Sequence, residues 1–299
     1  MKSKATQIVS DWLRSNPRKP LLVILGPTAS GKTALGVKLA RKFDGEIISA
    51  DSRQIYTEVD KATAKPTTAE MRKAQHHLVS VFSPTKTITV AAYRKLAEKK
   101  IREILKRGKL PILTGSHTLL ISALVENYQF PKLKEMKSQR EELEKEYAKT
   151  GGKMKLWKRL QKLNPEAAKK ISANNGFHLI RALERIEAGM QPTKGKRKYS
   201  ALLLGISTER EKLYEKINQR VDKMLRSGLL KEVKALKDRY PRHSPALRGH
   251  GYRELLDYLY GEKTLEIAVE EIKRDTRNYA KRQLTWLRNS SLSKEIQWI

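Results

Sequence analysis

The chain has 299 residues, no cysteine, and 63 lysines and arginines against 32 aspartates and glutamates, a formal net charge of +31 at pH 7. The lack of cysteine excludes disulfides and thiolate metal sites, and no segment reaches the roughly 18 apolar residues of a membrane helix. We therefore expect a cytoplasmic protein with no membrane partner. The charge favours a polyanionic partner, although a generally basic proteome or a solubility adaptation would give the same balance.

A glycine-rich loop follows the first predicted strand. Residues 1–20 are expected to be an N-terminal extension, the apolar run 21–25 predicts a strand, and GPTASGKT then matches the pattern G-x-x-x-x-G-K-[ST]. In such a loop, backbone amides surround an anion, the lysine reaches terminal phosphates and the last hydroxyl binds Mg²⁺, here Thr33. The predicted phosphate-binding residues are Gly26, Thr28, Ala29, Ser30, Gly31, Lys32 and Thr33.

Three further strands are predicted over residues 46–50, 110–114 and 201–206, with a helix over 90–107. Strands that alternate with helices predict an α/β fold, a P-loop parallel sheet flanked by helices. The second strand ends at Asp51, and the third ends at a turn formed by Gly115, Ser116 and His117. Because ligands bind outside the carboxyl ends of parallel strands, we expect the phosphate loop, Asp51 and this turn to share one crevice.

The interval between the third and fourth strands is about eighty residues long, far more than an ordinary crossover requires. Residues 131–175 are predicted to form a mostly helical, basic insertion domain that turns at Gly151 and Gly152. Residues 21–130 and 176–299 are expected to form the two parts of the catalytic core. The insertion carries a cluster of like charge around Trp157, which favours a nucleic-acid surface over a solvated face. The cluster comprises Lys153, Lys155, Lys158, Arg159 and Lys162.

The C-terminal part of the chain is predicted to be helical. Thr208 and Glu211 have the spacing of a capping box at the start of one long helix. Arg220 falls at the edge of that helix's apolar stripe, so it needs either a structural ion pair or a phosphate ligand. The last long helix carries cations at i, i+4 and i+8, which predict either a basic ridge for a phosphate backbone or a solvated face. They are Lys273, Arg277 and Lys281.

The phosphate loop alone leaves the reaction open, because a kinase or an ATPase could use Asp51 on its metal. The wider pattern resembles the tRNA dimethylallyltransferase family, also called tRNA isopentenyltransferases, over residues 21–288. The segments that carry the resemblance are GPTASGKT (26–33), ADSRQIY (50–56), DKATAKPT (60–67), HHL (76–78), IRALE (180–184), INQRVDKMLRSGLLKEV (217–233), GYRELLDYL (251–259) and IKRDTRNYAKRQLTWLR (272–288).

The resemblance implies that the loop holds the diphosphate of dimethylallyl diphosphate with Mg²⁺. The dimethylallyl group would pass to N6 of the adenosine 3′-adjacent to the anticodon, in the anticodon stem-loop of tRNA. Asp51 would be the general base, with a plain metal or capping carboxylate as the alternative, and Arg220 would stabilise the leaving diphosphate. A monomer is expected. The implied RNA contacts are Ser52, Arg53, Gln54, His117, Arg181, Arg248, Tyr252, Arg253, Lys273, Arg277 and Lys281.

The chain departs from the family pattern at several positions near these contacts. They are Ser80, Ser116, His117, Thr118, Asn175, His178, Gly249 and His250. The departures keep an alternative open, a divergent RNA-binding P-loop protein with ATP-dependent or weak transferase activity. Prenylation of free adenine nucleotides is another alternative, but it would leave the basic insertion and the C-terminal cations without a purpose.

Overall fold

The protein is described here by a computed structural model that covers residues 3–130, 137–187 and 193–299. Its α-helices are α1 (Lys4–Arg14), α2 (Lys32–Lys42), α3 (Thr68–Lys73), α4 (Val90–Lys106), α5 (Thr118–Val125), α6 (Lys137–Ala148), α7 (Gly152–Leu163), α8 (Pro165–Lys170), α9 (Gly176–Glu187), α10 (Arg210–Arg226), α11 (Leu229–Arg239), α12 (Tyr252–Leu259) and α13 (Leu265–Asn289). Its strands are β1 (Pro20–Leu25), β2 (Gly45–Ser49), β3 (His76–His77), β4 (Leu110–Thr114), β5 (Tyr128–Gln129), β6 (Thr193–Lys194), β7 (Ser200–Gly205) and β8 (Ile296–Trp298). The chain divides into two compact units, Met1–Asn127 with Arg197–Ile299, and Tyr128–Lys196.

The first unit is built on a six-stranded parallel sheet in the order β3-β2-β4-β1-β7-β8. The four strands predicted from the sequence are confirmed, each within one residue at either end. Strands β1, β2 and β4 are almost wholly buried, as near-continuous apolar runs in parallel sheets require. The edge strands β3 and β8 were not predicted, because two or three residues carry no periodic pattern.

Helices cover both faces of this sheet. On one face, Leu21, Val23 and Ile48 pack in the larger core cluster with residues of α4, α5 and α10 to α13. On the other face, Ala5 and Val9 of α1 pack in a cluster with residues of β1 and α2. Residues 1–20, predicted as an N-terminal extension, therefore contribute α1 and its buried side chains to the core of the first unit.

The second unit has its own small hydrophobic core. Leu156 and Leu160 of α7 pack in one cluster with Leu179 and Leu183 of α9. The predicted boundary at residue 175 is wrong, because α9 belongs to the core of the second unit and not to that of the first. Residues 131–136, where the insertion was predicted to begin, lie outside the described residues.

The predicted basic cluster of the second unit is partly neutralised. Trp157 packs against the core, and its Nε1 donates to the Ile171 carbonyl at 2.8 Å, so it is not an exposed stacking platform. Lys155 lies 2.7 Å from Glu146, and Arg159 lies 2.7 Å from Glu187. An acidic side chain near each cation lowers the field that an approaching polyanion would meet.

The long helices α10 and α13 pack against each other through Leu213, Ile217 and Ala280. The predicted capping box at Thr208 is wrong, because α10 has Glu209 as its N-cap and no side-chain cap hydrogen bond. Among the helices in the described ranges, none combines the length and the apolar character needed to cross a membrane.

The predicted basic ridge of α13 is also corrected. Lys273 pairs with Asp222 of α10 at 2.9 Å, and Arg277 donates to the Asn218 Oδ1 at 2.7 Å. These two side chains therefore join α13 to α10, whereas Lys281 is exposed. The i, i+4, i+8 spacing places the three cations on one side of the helix, but it does not indicate what packs against that side.

Candidate active site

The carboxyl ends of β1, β2 and β4 form one crevice, as the sequence predicted. Two adjoining cavities lie there, of about 270 and 380 Å³. The larger is lined by the phosphate-loop residues Thr28, Ala29, Gly31, Lys32 and Thr33, and the smaller by residues predicted to meet RNA. Both cavities are bordered by Thr28, Asp51, Thr63, Ser116 and Arg220.

The phosphate loop leads directly from β1 into α2. Gly31 is the N-cap of α2 and has a φ of +91°, a backbone conformation that residues with a side chain rarely adopt. The first turn of the helix thus presents its amides to the larger cavity, which suits an anion. Gly26 and Ser30 do not line that cavity, and the buried Ser30 hydroxyl lies where a side chain at Gly26 would collide with it.

Lys32 is buried inside the loop. Its Nζ donates to the Pro27 carbonyl at 2.6 Å. Burial, with a smaller contribution from the nearby Arg220, lowers the pKa of Lys32 from 10.5 to about 7, and Asp51 opposes the shift. A bound anion would supply the counter-charge that Lys32 otherwise lacks.

Arg220 of α10 is the second inward cation. Burial lowers its pKa, and Asp51 partly offsets that effect. Its guanidinium forms no hydrogen bond or ion pair with any residue in the described ranges, so the structural ion pair considered from the sequence is not found there. A largely desolvated guanidinium without an acceptor favours an anionic ligand in the cavity that it lines.

Asp51 follows β2, and its carboxylate borders both cavities. Its Oδ1 accepts from the amides of Arg53 at 2.8 Å and Gln54 at 3.3 Å, while Oδ2 accepts from the Ser116 hydroxyl at 2.9 Å. Oδ1 thus closes a turn at residues 52–55 and caps no helix there, so the helix-capping role considered from the sequence is not found. Oδ2 retains a lone pair for a further proton.

The turn at Gly115 presses against the end of β2. A Cβ at Gly115 would lie 2.1 Å from the Ala50 carbonyl oxygen, so only glycine fits there. His117, two residues after Gly115, donates its backbone amide to that same oxygen at 3.1 Å. Its Nδ1 accepts from the Leu120 amide at 3.4 Å, and burial lowers its pKa. The imidazole is therefore largely neutral at pH 7 and lines the smaller cavity.

Two residues of α13 that sequence reasoning missed hold this turn in place. Gln283 accepts from the Thr28 amide at 2.8 Å and donates to the Ser116 carbonyl at 2.6 Å. Tyr279 donates to that carbonyl at 3.2 Å. A signal for Gln283 existed in the sequence, because it lies on the buried stripe of α13 between Ala280 and Leu287, where a polar side chain needs partners.

The remaining predicted RNA contacts are placed differently from one another. Ser52, Arg53 and Arg248 line the smaller cavity with His117. Arg53 donates to the Pro245 carbonyl, and Arg248 donates to the His243 carbonyl at 3.1 Å. Gly249 and His250, two departures from the family pattern, line the same cavity, and Arg53 packs against Gly249.

Other members of the predicted set have structural partners. Tyr252 is fully buried, donates to Glu232 at 2.6 Å and also lines the smaller cavity, so its contact with RNA stays a prediction. The side-chain amide of Gln54 accepts from the Ser49 hydroxyl and donates to the Thr63 and Ala64 carbonyls, which holds a loop in place.

Two predicted arginines are engaged in ion pairs. Arg253 pairs with Glu254 and Asp275. Arg181 lies in the second unit, where it pairs with the buried Glu184 at 2.9 Å. Arg181 therefore has a structural partner within its own unit, and its contact with RNA stays a prediction.

Comparisons with known proteins identify the family of this chain. A family model described as IPP transferase matches residues 54–290. The tRNA dimethylallyltransferase of Acetivibrio thermocellus is 44% identical over 288 residues, covering 93% of this chain and 91% of that protein. The corresponding Bacillus subtilis protein is 41% identical, covering 95% of this chain and 91% of its own.

Solved structures give the same result. The tRNA isopentenylpyrophosphate transferase of Bacillus halodurans has a TM-score of 0.71 at 39% identity, covering 94% of this chain and 90% of its own. A eukaryotic dimethylallyltransferase acting on tRNA has a TM-score of 0.79 at 26% identity, covering 94% and 74%. With matches of this extent in sequence and in fold, the chain belongs to the IPP transferase family, that of the tRNA dimethylallyltransferases.

Proposed function

We propose that the protein transfers a dimethylallyl group from dimethylallyl diphosphate to N6 of the adenosine 3′-adjacent to the anticodon in tRNA, releasing diphosphate. The observation that carries this proposal is that the buried Lys32, the half-buried Arg220 and the Asp51 carboxylate share one crevice. Lys32 and Arg220 border the cavity of the phosphate loop, and Asp51 borders both that cavity and its neighbour. Donor and acceptor could therefore meet at Asp51.

The leaving group requires positive charge where it develops negative charge. As the allylic carbon–oxygen bond breaks, its electron pair passes to the diphosphate. The first residues of α2, including Lys32, and Arg220 of α10 line the cavity that would hold this group. Because Lys32 is buried and Arg220 is half-buried, their interaction with the diphosphate is stronger than it would be in water.

Asp51 is suited to the role of general base. The N6 amine forms its new bond to the allylic carbon and gives up one proton, which the carboxylate accepts. Two backbone amides and one hydroxyl fix the carboxylate on the border of the two cavities. The reaction thus yields N6-prenylated adenosine, diphosphate and one proton.

A magnesium ion fits the donor set of the larger cavity. The Thr33 hydroxyl lines it together with Asp51, and hard oxygen ligands of this kind, joined by diphosphate oxygens, suit Mg²⁺. When bound, the ion would neutralise charge on the diphosphate. Thr33 is the residue that we propose as its protein ligand.

The smaller cavity suits the base of the RNA. A target base must leave its stack to be modified, and the unpaired anticodon loop releases bases readily. Ser52, Arg53, His117 and Arg248 line this cavity and are proposed to contact the extruded adenine or its neighbours. The exposed Lys281 is proposed to meet the phosphate backbone.

A product assay tests the proposal. Purified protein is incubated with Mg²⁺, dimethylallyl diphosphate and an unmodified anticodon stem-loop, and the digested RNA is analysed by mass spectrometry. We expect a prenylated adenosine at the position 3′ of the anticodon. RNA-stimulated ATP hydrolysis without a prenylated product would instead support the ATP-dependent alternative.

A further inference from the structure

We propose that Ser116 is a positioning residue for Asp51, and that its hydroxyl fixes the carboxylate oxygen that takes the N6 proton. This inference rests on the proposed function, because it assumes that Asp51 is the general base. Ser116 belongs to the turn after β4 and is one of the positions at which the chain departs from the family pattern. Its Oγ lies 2.9 Å from the Asp51 Oδ2.

The hydrogen bonds of Asp51 divide unequally between its two oxygens. Oδ1 is held by two backbone amides, which a substitution elsewhere would leave in place. Oδ2 is held by Ser116, whose hydroxyl is the single side-chain donor to Asp51 among the described residues. Without it, the carboxylate plane would be fixed at one end only, and Oδ2 would be free to rotate away from the acceptor base.

The backbone of Ser116 is itself held firmly. Its carbonyl accepts from Gln283 at 2.6 Å and from Tyr279 at 3.2 Å. Gly115 packs directly on the Ala50 carbonyl, next to Asp51 in the chain. The hydroxyl therefore projects from a rigid backbone, which is the condition for it to orient another side chain.

The same contacts join the base to the diphosphate loop. Gln283 is buried and also accepts from the Thr28 amide at 2.8 Å. A hydrogen-bonded chain thus leads from the Thr28 amide through Gln283 and Ser116 to the Asp51 carboxylate. It sets the distance between the group that holds the donor and the group that deprotonates the acceptor.

The test is the single-turnover rate of prenyl transfer at saturating dimethylallyl diphosphate and stem-loop RNA, together with the dissociation constants of both. For Ser116→Ala and Ser116→Gly we expect the rate to fall about three- to tenfold, the worth of one hydrogen bond, with both dissociation constants unchanged. Ser116→Thr keeps a hydroxyl and is expected to stay within about twofold of wild type.

Ser122→Ala serves as the matched control. Ser122 is a buried serine of α5, six residues beyond Ser116 and outside the cavities. It should leave the rate unchanged, while the melting temperatures of all variants report on folding. The Ala and Gly variants remove the same hydroxyl by two routes, so a folding defect in one leaves the other informative.

The outcomes separate this inference from the proposed function. If wild type forms no prenylated product, or if Asp51→Ala is fully active, the proposed function or its base has failed. If both behave as proposed but folded Ser116→Ala and Ser116→Gly transfer at the wild-type rate, the positioning role is overturned. A weaker affinity for either substrate with an unchanged rate would also overturn it.

Discussion

At the scale of single residues, the buried Lys32 links the stability of the fold to pH. Its pKa is lowered to about 7 in the folded protein, against an ordinary value of 10.5, mainly because burial removes water from the ammonium group. Between about pH 7 and 10.5 the unfolded chain therefore binds more protons at this residue than the folded chain does. Stability must rise with pH across that window and not fall.

We expect this rise to depend on Lys32. Between pH 7.5 and 9.5, the free energy of unfolding of wild type should increase by about 2 kcal/mol relative to that of Lys32→Met. Urea titrations of both proteins at the two pH values measure the difference. Lys38→Met, which alters an exposed lysine of the same helix, should keep the wild-type increase; an equal increase in Lys32→Met would contradict the assignment.

Tyr252 provides a second residue-scale prediction. Because its hydroxyl donates to Glu232 in the core, Tyr252→Phe should lower the free energy of unfolding by about 1 kcal/mol and leave RNA affinity unchanged. Tyr258→Phe, a substitution in the same helix at a tyrosine with no hydrogen bond from its hydroxyl among the described residues, is the control. If Tyr252→Phe bound RNA more weakly with unchanged stability, the result would support the RNA contact predicted from the sequence.

At the scale of elements, periodic patterns located the helices and strands but did not indicate what lies opposite each face. The apolar runs of β1 and β4 were sufficient to place them and the residues that follow them. The isolated pattern at Thr208 predicted a cap that α10 does not use. Likewise, Lys273 and Lys281 looked equivalent in the sequence, and only packing on α10 separates them.

This separation between the two lysines is testable. Lys281→Ala should make the negative slope of log affinity against log salt shallower by about 0.7–0.9, the value for one phosphate contact. Lys273→Ala should leave the slope unchanged and reduce stability, because it leaves Asp222 of α10 without its partner. Filter binding of the stem-loop at several salt concentrations measures both slopes. A shallower slope for Lys273→Ala with an unchanged slope for Lys281→Ala would contradict the assignment of the two lysines.

At the scale of the whole molecule, the sequence predicted the class of fold and the members of the crevice, and it misplaced a domain boundary. The carboxyl-end rule brought Asp51, the phosphate loop and the Gly115 turn together from the predicted ends of the strands alone. The boundary at residue 175 failed because the apolar stripe of α9 suits either core equally well, and only tertiary packing assigns Leu179 and Leu183 to the second unit. Gln283 was missed for a related reason, since its partners are distant in sequence.

The net charge of +31 also takes on a more specific meaning in the structure. Many of the cations singled out from the sequence have acidic or carbonyl partners, so total charge overstates the surface available to RNA. The two cations proposed to act on the diphosphate are shielded from solvent to different extents. Lys32 is buried and Arg220 is half-buried, and both border the cavity of the phosphate loop, where their charge acts more strongly than on the open surface.

The central claim is that Asp51 deprotonates the acceptor amine, and its most direct test is the single-turnover rate of Asp51→Asn. This substitution preserves the size of the side chain and the oxygen that accepts from the Arg53 and Gln54 amides, but it replaces Oδ2, the proposed base, with an amide nitrogen. We expect prenyl transfer to slow by about 10²–10⁴-fold, with the affinities for dimethylallyl diphosphate and the stem-loop unchanged. Transfer by Asp51→Asn at the wild-type rate would contradict the account.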